Sequence, residues 1–253
     1  MNPDPAPNPS ILTREDGATI AYRRMAGRAP GVVFLGGFMS DMNGTKAASL
    51  DAFCRARGHA FVRFDYFGHG RSSGEFSEAT VGRWKDDALC VLDNLTAGPQ
   101  VLVGSSLGGW IMLLLAMARP GRVQALIGVA AAPDATENLM WNRFSPELRA
   151  TIQRDGQARI PSAYGEEGYL ITRKLIEDGR QHLVMSKPIP VSCQVRLIHG
   201  MRDEDVPYRA SIDLAANLQS EDVRVELVKD GNHRLSRDQD LSLLARTLES
   251  LLG

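Results

Sequence analysis

Val101-Leu102-Val103-Gly104-Ser105-Ser106-Leu107-Gly108-Gly109-Trp110 is an apolar run that meets a glycine-flanked serine and passes straight into a second apolar run, 110–117. The first run has the β-branched and aliphatic character of a buried strand, and the second has the length of a buried helix. Between them Gly104-Ser105-Ser106-Leu107-Gly108 fits G-x-S-x-G, in which the serine occupies a sharp strand-to-helix turn. The positions two before and two after it must be small for strand and helix to approach, and Gly104 and Gly108 supply that room. A bare pentapeptide of this kind also arises by chance. The strand before it and the helix after it make Ser106 the candidate nucleophile, set where free N–H groups and a helix dipole favour developing negative charge. Ser105 holds the variable position and should point away.

Working outward, apolar runs at 19–23, 32–35, 60–64, 100–103, 125–129, 195–198 and 223–228 read as strands buried on both faces. Amphipathic stretches alternate with them: Ala47, Leu50, Phe53 and Cys54 recur at helical spacing, as do Trp84, Ala88, Val91, Leu92 and Leu95. The alternation predicts an α/β fold with a mostly parallel central sheet and helices on both faces. The last helix is expected to start at Ser236, with Gln239 completing a capping box and Leu241, Leu244, Ala245, Leu248 and Leu251 facing the core. From about 134 to 190 no convincing strand interrupts a helical or irregular pattern. That predicts a helical lid inserted over the carboxyl edge of the sheet, where open α/β sheets bind ligands. The proline-rich opening, 1–10, reads as a solvated tail without catalytic residues, and 11–253 as a single domain.

Lys and Arg number 29 against 30 Asp and Glu, so charge gives no reason to expect nucleic acid or an anionic membrane as partner. The expected partner is a small molecule or an acylated protein presented to a pocket. Cys54, Cys90 and Cys193 are odd in number and widely spaced within apolar runs, which predicts buried reduced thiols rather than a disulfide or metal centre. No basic segment leads into an apolar stretch, and no run is long enough to span a bilayer. These absences predict a cytoplasmic protein without stable membrane insertion.

A serine hydroxyl needs a base to take its proton and a carboxylate to fix the base's tautomer. In serine hydrolases built on an open α/β sheet the chain order is serine, acid, histidine. Downstream of Ser106 stand His182, His199 and His233. His233 follows the last strand run directly and is the candidate base. His199 ends the preceding strand and suits a supporting role, and His182 lies in the lid region. Asp203 and Asp205 both follow the strand at 195–198, and spacing favours Asp203; Asp230 is too near His233 in sequence. An oxyanion hole needs two backbone donors, one just after the nucleophile and one after an early strand. Leu107 is the first, and Phe38 in Gly36-Gly37-Phe38-Met39 the second, with Gly37 as its neighbour.

Taken together, these residues resemble the α/β-hydrolase family over about 11–252. His199-Gly200-Met201-Arg202-Asp203 with Val206-Pro207 is similar to the family's acid motif, which implies Asp203 as the acid. Asp65-Tyr66-Phe67-Gly68-His69-Gly70-Arg71-Ser72 resembles the family's structural turn after an inner strand, a fold marker without catalytic meaning. Asn43-Gly44-Thr45-Lys46-Ala47, 104–110, 125–130 and His199-Gly200-Met201 are similar to the mitochondrial palmitoyl-protein thioesterase branch, whose activity extends to acyl glucuronides of drugs. That implies S-depalmitoylation or carboxylesterase chemistry, with no cofactor and no metal. Gly36 departs from the family, in which a histidine commonly precedes the oxyanion-loop glycine.

The function expected is therefore a serine hydrolase that cleaves esters or thioesters through an acyl-enzyme. An acyltransferase or C–C hydrolase would keep the same triad, and a non-catalytic receptor would keep only the fold. A dehalogenase would need a carboxylate where Ser106 stands. The apolar content of the lid, with Leu139, Met140, Trp141, Phe144, Leu148, Ile152, Tyr164, Tyr169, Leu170, Leu175 and Ile176, predicts a cleft for medium to long acyl chains.

Overall fold

The strands are Ser10–Thr13 (β1), Thr19–Met25 (β2), Arg28–Leu35 (β3), His59–Phe64 (β4), Gln100–Ser105 (β5), Val123–Val129 (β6), Gln157–Ser162 (β7), Gly165–Thr172 (β8), Gln194–Gly200 (β9) and Val223–Val228 (β10). Eight of them form one sheet in the order β1-β2-β4-β3-β5-β6-β9-β10. β2 pairs antiparallel with both β1 and β4, and every other pairing in that sheet is parallel. This computed structural model describes residues 8–253 except 163 and 164, with backbone alone at 162 and 165–167.

Period-two alternation sends Val32, Phe34, Val101 and Val103 to one face of the sheet, and Val33, Leu35 and Leu102 to the other. The first set packs against helices Thr45–Arg57 (α1) and Asp238–Leu252 (α7). The second packs beneath Val81–Leu95 (α2), Leu107–Ala118 (α3) and Arg209–Asn217 (α6), where Trp84 and Trp110 are fully buried. Both faces are therefore covered, as the unbroken apolar strand runs require.

Several expectations are corrected. The chain joins the sheet at Ser10, inside the stretch read as tail, because the edge strand β1 is too short and too exposed to announce itself. The remainder of that tail, 1–7, lies outside the described residues, as does Tyr164. The last helix starts at Asp238 rather than beside a Ser236 cap. Ser236 Oγ donates to the Arg234 carbonyl, and Asp240 takes over by accepting the Arg237 N–H at 3.1 Å. Cys54 is buried as expected, but Cys90 and Cys193 are half-buried; none is paired.

The stretch between β6 and β9 adds no strand to the main sheet, yet it is not simply helical. Helix Pro146–Asp155 (α4) leads into the antiparallel hairpin β7–β8, and helix Arg173–Gly179 (α5) follows. The hairpin aligns Ala158 with Ile171 and Ile160 with Tyr169, so one apolar face meets Ile152 and Ile176. Only two apolar residues per strand carry that alternation, and Pro161 and Gly168 break it. Hydrogen bonds close the stretch on itself and fasten it to the body. Asp134 accepts the Val184 and Met185 N–H groups at 2.7 and 3.0 Å, Trp110 Nε1 donates to the His182 carbonyl at 3.0 Å, and Asp178 accepts the Gly82 N–H at 2.8 Å.

The parallel register aligns Leu35 with Gly104, Ser105 with Val129, and Gly200 with Val228. Loops carrying Phe38, Ser106, Asp203 and His233 therefore leave the same edge of the sheet.

Candidate active site

Ser106 joins β5 to α3 with φ 53° and ψ −118°, a left-handed conformation that residues with a Cβ rarely adopt. The surroundings hold it there. Its N–H donates to the Val129 carbonyl at 2.9 Å, and its own carbonyl accepts from Gly109 and Ala132 at 2.9 and 3.1 Å. The elbow requires its glycines: a Cβ on Gly104 would lie 2.4 Å from the Gly108 oxygen, and one on Gly108 would lie 2.1 Å from the Leu35 oxygen.

His233 Nε2 lies 3.1 Å from Ser106 Oγ, and its Nδ1 lies 2.7 Å from Asp203 Oδ2. A carboxylate only accepts, so Nδ1 carries the proton and Nε2 is free to accept from the serine hydroxyl. Ser105, the last residue of β5, makes no such contact. The Asp203 carboxyl is buried, which by itself opposes ionisation. Hydrogen bonds from His199 and His233, with further ones from the backbone, outweigh the burial and hold its carboxyl well below the usual carboxylate range. Its Oδ1 accepts from the Asp205 and Val206 N–H groups at 3.0 and 2.8 Å. Asp205 lines the same cleft, but it is Asp203 that accepts the imidazole N–H. Asp230 instead pairs with Arg237 at 2.6 Å.

His199 has the supporting place its position suggested. Fully buried, it puts Nε2 3.1 Å from Asp203 Oδ2 and 3.0 Å from the Val206 carbonyl, while Nδ1 meets Ser211 Oγ at 2.7 Å. Both neighbours of Nε2 are acceptors, so that nitrogen is the donor and braces the aspartate. His182 remains with the 134–190 stretch, 3.7 Å from Asp178.

The loop after β3 comes up against the nucleophile: a Cβ on Gly37 would lie 3.5 Å from Ser106 Cβ. The Phe38 and Leu107 N–H groups have no acceptor among the described residues, and Leu107 opens α3, where a helix leaves its first N–H groups unpaired. One residue on, the Met39 N–H donates to His69 Nε2 at 3.1 Å, and His69 Nδ1 faces the Phe67 carbonyl at 3.2 Å. The sequence reading missed this contact. It treated 65–72 as a fold marker only, and no local signal links His69 to a loop 30 residues earlier. The loop that begins at Gly36 is thus anchored by a histidine reaching in from another strand's turn. Burial lowers the His69 pKa to about 4, with the Phe67 carbonyl opposing.

A cleft of about 690 Å³ surrounds Ser106. Leu139, Met140, Ile160 and Tyr169 line it, whereas Trp141, Phe144, Leu148 and Ile176 pack the interior of the stretch that carries them. The apolar content of 134–190 is thus divided between cleft and packing.

Residues 30–165 match the α/β-hydrolase fold family. The chain is 45% identical over 244 residues to the mitochondrial palmitoyl-protein thioesterase ABHD10 of Bos taurus, covering 96% of this chain and 79% of that one. The structure of mouse α/β hydrolase domain-containing protein 10 superposes with a TM-score of 0.90 at 44% identity, covering 97% of this chain and 98% of that one. A putative hydrolase from Agrobacterium vitis S4 does so with a TM-score of 0.93 at 37% identity, covering 98% and 100%. The thioesterase relatives are mitochondrial, which overturns the cytoplasmic placement expected from the sequence.

Proposed function

Because the chain belongs to the α/β-hydrolase family, and its relatives include palmitoyl-protein thioesterases, we propose that it hydrolyses acyl thioesters and esters, S-acylated proteins among them, through an acyl-enzyme on Ser106. The observation that carries this reading is the continuous relay from Ser106 Oγ through His233 to Asp203 at the carboxyl edge of the sheet. His233 Nε2 takes the hydroxyl proton as Oγ attacks the acyl carbon, and Asp203 steadies the imidazolium that forms. The Phe38 and Leu107 N–H groups receive the developing oxyanion. Collapse of the tetrahedral intermediate releases the thiol or alcohol, which takes the proton from Nε2. Water then repeats the sequence on the acyl-enzyme and returns free serine and a carboxylic acid. A thiolate leaves more readily than an alkoxide, which lightens the acid task of His233. Residues 134–190 act as a lid on the single domain that begins at Ser10, and the acyl chain lies against Leu139, Met140 and Tyr169.

A fluorophosphonate should label the wild-type protein at Ser106 and leave Ser106→Ala unlabelled. Ser106→Ala and His233→Ala should each lower turnover of an acyl thioester on the order of 10⁴-fold or more. Labelling at Ser105, or turnover retained in either variant, would overturn the assignment.

A further inference from the structure

The Phe38 N–H belongs to a peptide group whose orientation is set from several sides. A trans peptide is planar, so whatever fixes its carbonyl and its flanking Cα also fixes its N–H. The Gly37 carbonyl, the other end of that peptide, accepts from Ser40 N–H at 3.3 Å and from Ser40 Oγ at 2.8 Å. The next residue, Met39, is held at φ 52° with its N–H on His69 Nε2. A left-handed conformation in a residue with a Cβ persists only where its neighbours enforce it. None of these supports comes from 134–190.

The Phe38 ring brings in one that does. Its centroid lies 5.2 Å from that of Phe76 and 6.0 Å from that of Trp84, both outside 134–190, and 5.4 Å from that of Tyr169 on β8. The interplanar angles are 80°, 80° and 82°, the edge-to-face geometry that aromatic quadrupoles favour. Phe38 thereby packs against both the main apolar cluster and the separate one formed by Ile152, Ile171 and Ile176. Among the described residues β8 pairs with β7 and with no strand of the main sheet, so sheet pairing does not set where the hairpin lies over the loop. We propose that Tyr169 is a positioning residue for the reaction: its ring holds Phe38, and through it the N–H that receives the oxyanion. This rests on the acyl-enzyme reading above and gives Tyr169 a role distinct from lining the acyl cleft.

The two roles act on different states. A wall for the acyl chain touches substrate before the reaction as well as during it, so its loss raises KM, and only for chains long enough to reach it. A misplaced oxyanion donor is felt only once negative charge forms on the acyl oxygen, so it lowers kcat for every acyl length.

The test measures kcat and KM for the acetyl and octanoyl thioesters of N-acetylcysteamine. Tyr169→Leu should lower kcat about tenfold on both, within the range of one edge-to-face aromatic pair and below the loss of a whole oxyanion donor. Tyr169→Phe, which keeps the ring, should retain most of the wild-type kcat. Phe38→Leu, which keeps the backbone donor and removes the ring, should lose at least as much as Tyr169→Leu. The double variant should then be little worse than Phe38→Leu alone, as for residues joined by one contact. A raised octanoyl KM with unchanged acetyl kinetics would make Tyr169 a wall of the cleft and nothing more, and losses that add in full in the double variant would mean that the two rings act separately. Either outcome overturns the proposal. Wild-type turnover with an unchanged kcat in Tyr169→Leu removes this inference alone, whereas no wild-type turnover of either thioester removes the acyl-enzyme reading with it.

Discussion

The His69 ring makes two hydrogen bonds that demand one tautomer. The Phe67 carbonyl can only accept and the Met39 N–H can only donate, so Nδ1 holds the proton and Nε2 must stay bare. Protonation would set a second N–H against the Met39 N–H and loosen the loop that presents Phe38. His69→Gln should therefore lower kcat by roughly tenfold with little change in KM, less than the full loss of an oxyanion donor. An unchanged kcat would limit His69 to packing. A free histidine titrates near 6.5 and the buried one near 4. Between those values the unfolded chain binds the extra proton, so folding stability falls as pH drops. The wild type should lose roughly 2 kcal/mol through this group between pH 7 and pH 5. Urea melts of His69→Gln should show a smaller loss over that interval, and parallel pH profiles would contradict the assignment. At the acid, Asp203→Asn should cost about 10³- to 10⁴-fold in kcat, because an amide whose single oxygen faces the Asp205 and Val206 N–H groups turns its NH2 toward His233 Nδ1 and favours the wrong tautomer, while Asp205→Asn should be mild. The reverse ranking in steady-state kinetics would transfer the role to Asp205.

Among the elements, the 134–190 stretch is closed on itself by one buried carboxylate. Asp134 joins its beginning to its end, accepting two backbone N–H groups from Val184 and Met185. Burial raises its pKa, against the pull of those same donors. Removing the carboxylate in Asp134→Ala leaves both donors without their partner, a cost of about 1–3 kcal/mol for each buried group left unmade. The cost should appear locally. Hydrogen exchange of the Val184 and Met185 amides and proteolysis within 134–190 should speed up well before the main sheet opens. Exchange that rises uniformly across the main sheet would mean that Asp134 supports the whole fold instead. The hairpin β7–β8 was illegible in the sequence for the reason that makes Asp134 matter: its strands are too short to declare a period, and contacts from elsewhere in the chain hold them.

At the scale of the whole molecule, the cleft volume of about 690 Å³ lies within the range of ligand-holding pockets, and its apolar wall favours acyl chains. Each methylene buried against Leu139, Met140, Ile160 and Tyr169 should add about 0.8 kcal/mol, so kcat/KM should rise roughly fourfold per methylene until the cleft is full. A panel of thioesters of graded acyl length, with one leaving group throughout, measures this. Efficiency that declines from acetyl upward would remove the acyl-cleft reading.

The sequence by itself determined the sheet, the elbow and the order of the candidate triad, because each is written in local spacing. The apolar run 101–103, the glycines around Ser106 and the loop that follows each buried strand impose their geometry within a few residues. Tertiary structure alone decided what depends on distant partners. The fold brings the Oδ2 of Asp203, and not Asp205, to His233, 30 residues away, and Ser106 meets that imidazole across 127 residues. His69 reaches Met39, and Lys46 reaches the Arg234 carbonyl across 188 residues, with no pattern along the chain to announce either. Hydrophobic periodicity reports only which face of an element is buried. Which polar groups then meet depends on strand order and register, and those follow from the packing of the whole chain.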